Sequence, residues 1–233
     1  MIEMNKLIID KENNVEIKDN VLDLIINVPK LTLNIKGKVL INEIAIKDNE
    51  SLELTINIEP NSSLIYNRFM IHQTINNTFI LNQEHHSEAI FNYSIIAKDK
   101  CNLTFNSNLF GNNNKTDIKI KAITEDKGCC KIISTADAKS KIKDNNLIES
   151  IKILTLNEEE NICIPNLLVA SNEVEVNHAC TISSIDPKYL FYLNSKGIST
   201  EKAISLIKKG YLLSNLNIND EIASSIKELI GGE

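Results

Sequence analysis

From its start to about Ile182 the chain alternates apolar and polar residues with a period of two, the pattern of strands that bury one face. Leu31-Thr32-Leu33-Asn34-Ile35 does so, as do Leu52 to Ile58, Asp117 to Lys121 and Val174 to His178. Short polar segments punctuate the pattern at Lys47-Asp48-Asn49-Glu50, Glu59-Pro60-Asn61, Lys98-Asp99-Lys100 and Glu125-Asp126-Lys127-Gly128, and each reads as a turn. No useful length of helical periodicity precedes Ile185. Closely spaced strands without intervening helices predict a mainly β fold, a sandwich, barrel or β-solenoid. No strict repeat of fixed length is visible, so periodicity does not choose among them.

The pattern changes after Ile185. Asp186-Pro187 is a good N-cap and first-turn pair, and Gly197 stands where a helix-ending glycine belongs, which predicts a short helix through Tyr189, Leu190 and Leu193. Ser199 caps a second helix carrying Ala203, Ile204 and Ile207, which Gly210 is expected to end. Asn219 caps a third, with Ile222, Ile226 and Ile230 on one face ahead of Gly231-Gly232. Helices this short are marginal alone, so their apolar faces must pack, either on the β domain or on a partner protein. The chain therefore divides into a β core, residues 1–185, and a helical segment, residues 186–233.

Composition narrows the function. With 42% hydrophobic and 24% charged residues the chain is globular. A net charge of -6, with Arg68 as the only arginine, lacks the basic footprint that nucleic acid requires. The start, Met1-Ile2-Glu3-Met4-Asn5-Lys6, has an acid where a secretory signal wants bases and no long apolar run, so a cytoplasmic location without a membrane partner is expected. Five cysteines without CxxC spacing do not make a disulfide framework, and reduced thiols are expected.

The chemistry concentrates at Glu173 to Cys180, EVEVNHAC. On a strand Val174, Val176, His178 and Cys180 share one face, and Glu173, Glu175, Asn177 and Ala179 the other. A histidine and a cysteine at i and i+2 project in one direction, close enough to bind one metal centre, and imidazole with thiolate suits iron-sulfur chemistry or zinc. The competing reading is a hydrogen-bonded core histidine beside a small buried thiol. Cys129 and Cys130 diverge on a strand, one toward a core or interface and the other toward solvent. Cys163 becomes a partner for Cys180 if successive strands stack in a solenoid. Cys101 shares a face with Leu103 and Phe105, as a core residue would.

A second metal-capable cluster is Glu84-His85-His86 with Glu88, together with His72. It supports either a cupin-type metal-dependent enzyme or, more simply, a solvated loop and a structural His72. There is no Gly-rich phosphate loop, G-x-S-x-G elbow or zincin motif.

The segment NHACTISSIDPKYLFYLNSKGISTEKAISLIKKGYL resembles the C-terminal signature of the SufB/SufD family of iron-sulfur cluster assembly scaffolds. The matching positions are His178, Thr181, Ile185, Asp186, Leu190, Phe191, Tyr192, Leu193, Gly197, Ile198, Ala203 and Gly210, with Pro165 and Leu167 before them. Upstream, Phe110-Gly111, Asp117-Ile118 and Gly128 resemble the family's strand core weakly.

The resemblance implies a right-handed parallel β-helix core and a C-terminal helical segment that docks a SufC-like ABC ATPase. It also implies pairing through the cores, as a homodimer or with a SufB/SufD-like paralogue. A transient iron-sulfur cluster would form at the core interface, on a scaffold rather than an enzyme. His178 matches the signature histidine. The set expected to bind the cluster is His178, Cys180, Cys163 and Cys130, with His178 and Cys180 as the metal ligands; of these His178 alone comes from the family pattern, in which Cys180 has no counterpart, and the cysteines come from the reading of the strand faces. The chain departs from the SufB pattern: Asn177 and Ala179 replace flanking acids, and the position of the SufB cysteine falls near Ser150 with no cysteine nearby. At this signature it is SufD-like. A metal-free solenoid that only binds partners is the remaining alternative.

Overall fold

The structure is a computed structural model that describes residues 5–11, 13–139 and 141–231. The first four residues, on which the expectation about a signal segment rests, lie outside them. Every strand pairing is parallel. After β1 (Asn5–Ile9) and β2 (Asn14–Ile26), the long β3 (Lys30–Ile46) turns a corner and starts two walls at once. Its first half, Lys30 to Ile35, pairs with β4 (Asn49–Ile58), and its second half, Lys38 to Ile46, with β5 (Ser63–His72). From β4 one wall continues through β6 (Thr74–Gln83), β8 (Lys100–Leu109), β10 (Cys129–Ala138) and β12 (Ile162–Val169). From β5 the other continues through β7 (Glu88–Ala97), β9 (Lys115–Thr124), β11 (Asn145–Thr155) and β13 (Val174–Ser184). This is a two-walled parallel β-solenoid, and neither an antiparallel sandwich nor a cupin barrel.

The corners explain why no repeat is legible in the sequence. The spacing grows along the chain: Asn14 pairs with Thr32, Asn42 with Asn67 at a separation of 25, and Asn114 meets Asn145 at a separation of 31. The strands keep their length while the corners grow, from 59–62 to 139–144 on one side and from 73 to 156–161 on the other. One corner places a residue at positive φ in successive rungs: Gly37 (71°), Asn61 (60°), His86 (57°), Asn113 (59°) and Asp144 (55°). This conformation favours glycine, asparagine and aspartate. At Gly37 an added Cβ would also lie 2.0 Å from Asp19 Oδ1. His86 thus stands at a corner, where its amide donates to the carbonyl of Asn112, 2.8 Å.

Alternate strand residues fill the interior with Leu, Ile and Phe; Phe79 stacks on Phe105, and Phe91 meets both edge to face. Outside, asparagines stack rung on rung: Asn34 donates to Asn14, Asn57 to Asn34, Asn82 to Asn57 and Asn108 to Asn82, at 2.6–2.9 Å. Such amide ladders hold parallel strands in register. The Asn content of the sequence therefore has a structural use.

Inside the first complete rungs lies a buried ionic cluster. Arg68, fully buried, reaches Glu43 (Nη1 to Oε2, 3.0 Å) and Glu50 (Nη2 to Oε2, 2.7 Å), and Asn77 donates to the same Glu50 oxygen at 2.6 Å. The guanidinium also sits over the rings of Phe79 and Tyr93, at 5.3 and 5.5 Å. One cation faces two carboxylates. Burial raises the pKa of Glu43 by more than Arg68 lowers it, whereas at Glu50 Arg68 and Asn77 outweigh burial and hold the carboxyl below its ordinary value.

The helices are α1 (Pro187–Ser195), α2 (Thr200–Leu213) and α3 (Asp220–Ile230), capped by Asp186, Ser199 and Asn219 as expected. Gly210 does not end α2, which continues to Leu213. The sequence after Gly210, Tyr211-Leu212-Leu213, supplies Leu212 to an apolar seam that holds the last turn. In that seam Leu212, Ile222, Ile226 and Ile230 cover Phe69, Ile96, Ile123 and Leu154 on the outer face of the β5 wall. Asn217 and Asn67 exchange two hydrogen bonds, and Asn215 donates to the carbonyl of Tyr93 at 3.0 Å. So α2 and α3 pack on the flank of the solenoid. Helix α1 buries none of its residues, leaving Tyr189, Phe191 and Tyr192 in solvent at 66%, 76% and 60% exposure. No described helix is long and apolar enough to cross a membrane.

Candidate functional site

The last rung, β12 and β13, has no rung beyond it among the described residues. The interior, closed elsewhere by a stacked neighbour, opens there. Register decides which side chains meet at this mouth. On β13, Val174, Val176, His178 and Cys180 continue the inward columns of Asn145, Leu147, Glu149 and Ile151. On β12, Cys163 continues the column of Ile132, and Pro165 that of Ser134. His178 and Cys180 therefore share the face that the alternation predicts, and that face is the open end of the interior.

Cys163 and Cys180 meet across the mouth, their Cα atoms 6.6 Å apart, and are joined as a disulfide. The expectation of reduced thiols fails for this pair. Seventeen residues separate the two cysteines in sequence, and only the facing of the two walls shows that they are neighbours. Glu175, on the opposite face from His178, accepts from Asn146 Nδ2 at 3.1 Å and from Asn177 Nδ2 at 3.1 Å, in solvent.

Cys130 is not brought to the mouth. It lies one rung deeper, 2% exposed, directly over Cys101, to which its thiol is hydrogen-bonded, and this bond together with burial pushes its pKa well up. Cys129 is the half-buried member of that pair, as the strand alternation predicts. Cys101 is a core residue.

The second cluster does not assemble. Glu84, His85, His86 and Glu88 lie in or beside an exposed corner, with His85 Nδ1 accepting from the Asn112 amide at 2.9 Å, while His72 is buried inside the solenoid. Among the described residues no three His, Cys, Asp or Glu side chains form a ready-made metal site, at the corner or at the mouth. The mouth has to rearrange, or gain donors from outside the chain, to hold metal.

One residue at the mouth escaped the sequence reading. The inward position beside His178 is Glu149, while Ser150 points outward beside Ala179. Glu149 is 1% exposed, and its Oε1 accepts from Ser134 Oγ at 3.0 Å. Burial drives its pKa up to about 7, with the Ser134 hydrogen bond opposing. The signal was present: in Leu147-Ile148-Glu149-Ser150-Ile151-Lys152-Ile153 an acid takes a position that the alternation reserves for an apolar residue.

Comparison with known proteins agrees with this architecture. Residues 54–211 match the model of the SUF system FeS cluster assembly SufBD core domain, so the match runs from β4 through the last rung and α1 into α2. The chain is also similar to an iron-sulfur cluster assembly SufBD family protein of Pyrococcus horikoshii, 40% identical over 67 residues. That similarity spans 28% of this chain and 15% of the relative. The parallel solenoid, the histidine at its open end and the matched span converge on one conclusion: the chain belongs to the SufBD core-domain family of the SUF iron-sulfur cluster assembly system.

Proposed function

We propose that this chain is a scaffold subunit on which a transient iron-sulfur cluster is built at the open end of the solenoid. The observation that carries the reading is the meeting of Cys163, Cys180 and His178 on the last rung. Two thiolates and an imidazole form a donor set suited to iron. The cluster is cargo, and the chemistry is ligand exchange rather than turnover of an organic substrate.

The pair must first be reduced by an external dithiol, which gives up two electrons and two protons to form the two cysteine thiols and leaves as its own disulfide. A second copy of the chain, or a SufB/SufD-like paralogue, completes the site. The last rung presents unpaired parallel edges together with exposed Ile162, Ile164, Leu167, Leu168, Val169 and Ile182, surface that a folded protein covers with a partner. A two-fold pairing there would bring two copies of His178 together.

The test is iron and acid-labile sulfide per chain after anaerobic co-expression with a SufC-like ABC ATPase, with and without a thiol reductant. Wild type is expected to load both only when reduced, and His178→Ala and Cys180→Ser to lose most of the load. A wild-type complex that forms and stays free of iron and sulfide would leave a metal-free docking module instead.

Helix α1 is the docking element for the ATPase in this reading, because it displays three aromatic residues and buries none. Aromatic side chains are the usual anchors of protein interfaces. Phe191→Ala is expected to weaken ATPase binding at least about tenfold, read by titration calorimetry. Because Phe191 is 76% exposed, the melting temperature of the isolated chain should stay unchanged. Unaltered affinity would move the docking site elsewhere.

A further inference from the structure

The donor set at the mouth contains one more member than the cysteines and His178. We infer that Glu149 binds iron at the open end once the Cys163–Cys180 disulfide is reduced and the mouth rearranges, its free carboxylate oxygen then sharing one ion with His178 and Cys180; this rests on the reading of the mouth as the assembly site. Three observations on the carboxylate converge. It is 1% exposed, and its Oε2 has no hydrogen-bond partner, although Oε1 is held by Ser134. Unpartnered buried carboxylate oxygens are costly and call for an explanation.

Second, no basic group compensates it among the described residues, whereas the other buried carboxylates, Glu43 and Glu50, both touch Arg68. Third, within its own inward column the carboxylate and the imidazole come only at the open end. The inward column runs from Ile118 to Glu149 to His178, apolar below and polar at the mouth. Adjacent parallel strands lie about 4.8 Å apart, so Glu149 and His178 are next neighbours on the same face. Cys180 follows two residues along, beside Ile151. Carboxylate, imidazole and thiolate on one face match the mixed preferences of ferrous iron. A role confined to packing would be served by leucine or isoleucine, which fill the neighbouring inward positions at Leu147 and Ile151.

The experiment titrates the reduced chain anaerobically with cobalt(II), as a spectroscopic stand-in for ferrous iron, without sulfide. Thiolate-to-cobalt charge transfer reports the mouth thiolates, Cys180→Ser assigning the share of Cys180, and the ligand-field bands report the whole donor set. Wild type, Glu149→Gln, Glu149→Asp, His178→Ala and Cys180→Ser are compared. Glu149→Gln keeps shape and hydrogen bonding but is a poor ligand. It is expected to weaken cobalt binding at least about tenfold and to shift the ligand-field bands while keeping the charge-transfer band. Glu149→Asp, which retains the carboxylate, should bind within a few-fold of wild type and confirms that the loss is not one of folding.

If Glu149→Gln binds like wild type while Cys180→Ser and His178→Ala lose the metal, Glu149 is structural, and the inference falls while the assembly site stands. If wild type binds no cobalt, or no substitution changes its binding, both fall.

Discussion

Arg68→Met is expected to lower the unfolding free energy by about 3–5 kcal/mol, a large part of the roughly 5–15 kcal/mol of a typical domain. Arg68 is fully buried between Glu43 and Glu50 at 3.0 and 2.7 Å. Taking its charge away leaves Glu43 and Glu50 without their buried cation, with only the half-buried Lys47 on Glu50 and neutral donors from Tyr66 and Asn77 remaining. The cost is the stranded charge rather than the lost contacts, so a second variant separates the two. Arg68→Met combined with Glu43→Leu and Glu50→Leu should regain most of the loss, because buried ion pairs replaced together by apolar groups are often neutral. Urea unfolding of both purified variants is the measurement. A loss below about 1 kcal/mol in the single variant would mean that the cluster is already relieved by water or by protonation, contrary to its packing.

Glu149→Gln should stabilise the fold in a pH-dependent way. The carboxyl of Glu149 has its pKa raised by burial from an ordinary 4.5 to about 7, so the folded state holds a proton that the unfolded chain releases. A group raised in this way contributes fully below the unfolded value. Its contribution falls as pH rises between 4.5 and about 7 and is gone above. The gap corresponds to roughly 3 kcal/mol at most. Glutamine is neutral throughout, so the variant should match wild type near pH 4.5 and exceed it by up to roughly 3 kcal/mol at pH 8. Urea unfolding at several pH values measures this, and a difference independent of pH would show that the native carboxyl is not strained toward protonation. Together with the expected loss of cobalt binding, it would make Glu149 a residue kept for use at the expense of stability.

The strands, most turns, three N-caps and the face shared by His178 and Cys180 were all legible as local pattern. A period of two fixes which side chains lie together on a strand, and a polar cap before an apolar run starts a helix, whatever surrounds it. The end of α2 was not legible, since its stop at Leu213 rather than Gly210 depends on burying Leu212 against the β5 wall. Nor was the role of His86. His86 lies in an exposed corner, in keeping with the solvated loop preferred from the sequence, but the left-handed conformation it adopts there, φ 57°, shows only in the structure.

The sequence by itself determined the β character, the short C-terminal helices, and a histidine and cysteine on one strand face with a family signature around them. The family resemblance implied a parallel β-helix, and the pairing of the strands bears out the parallel solenoid; the strand pattern alone did not select it, because corners of unequal length hide the rung spacing from any fixed-period reading. Only the tertiary structure decided that Cys163 meets Cys180, that Cys130 stays inside, and that Glu149 rather than Ser150 stands beside His178. Those are matters of register between strands far apart in the chain. A shift of one residue would turn every one of these side chains to the opposite face.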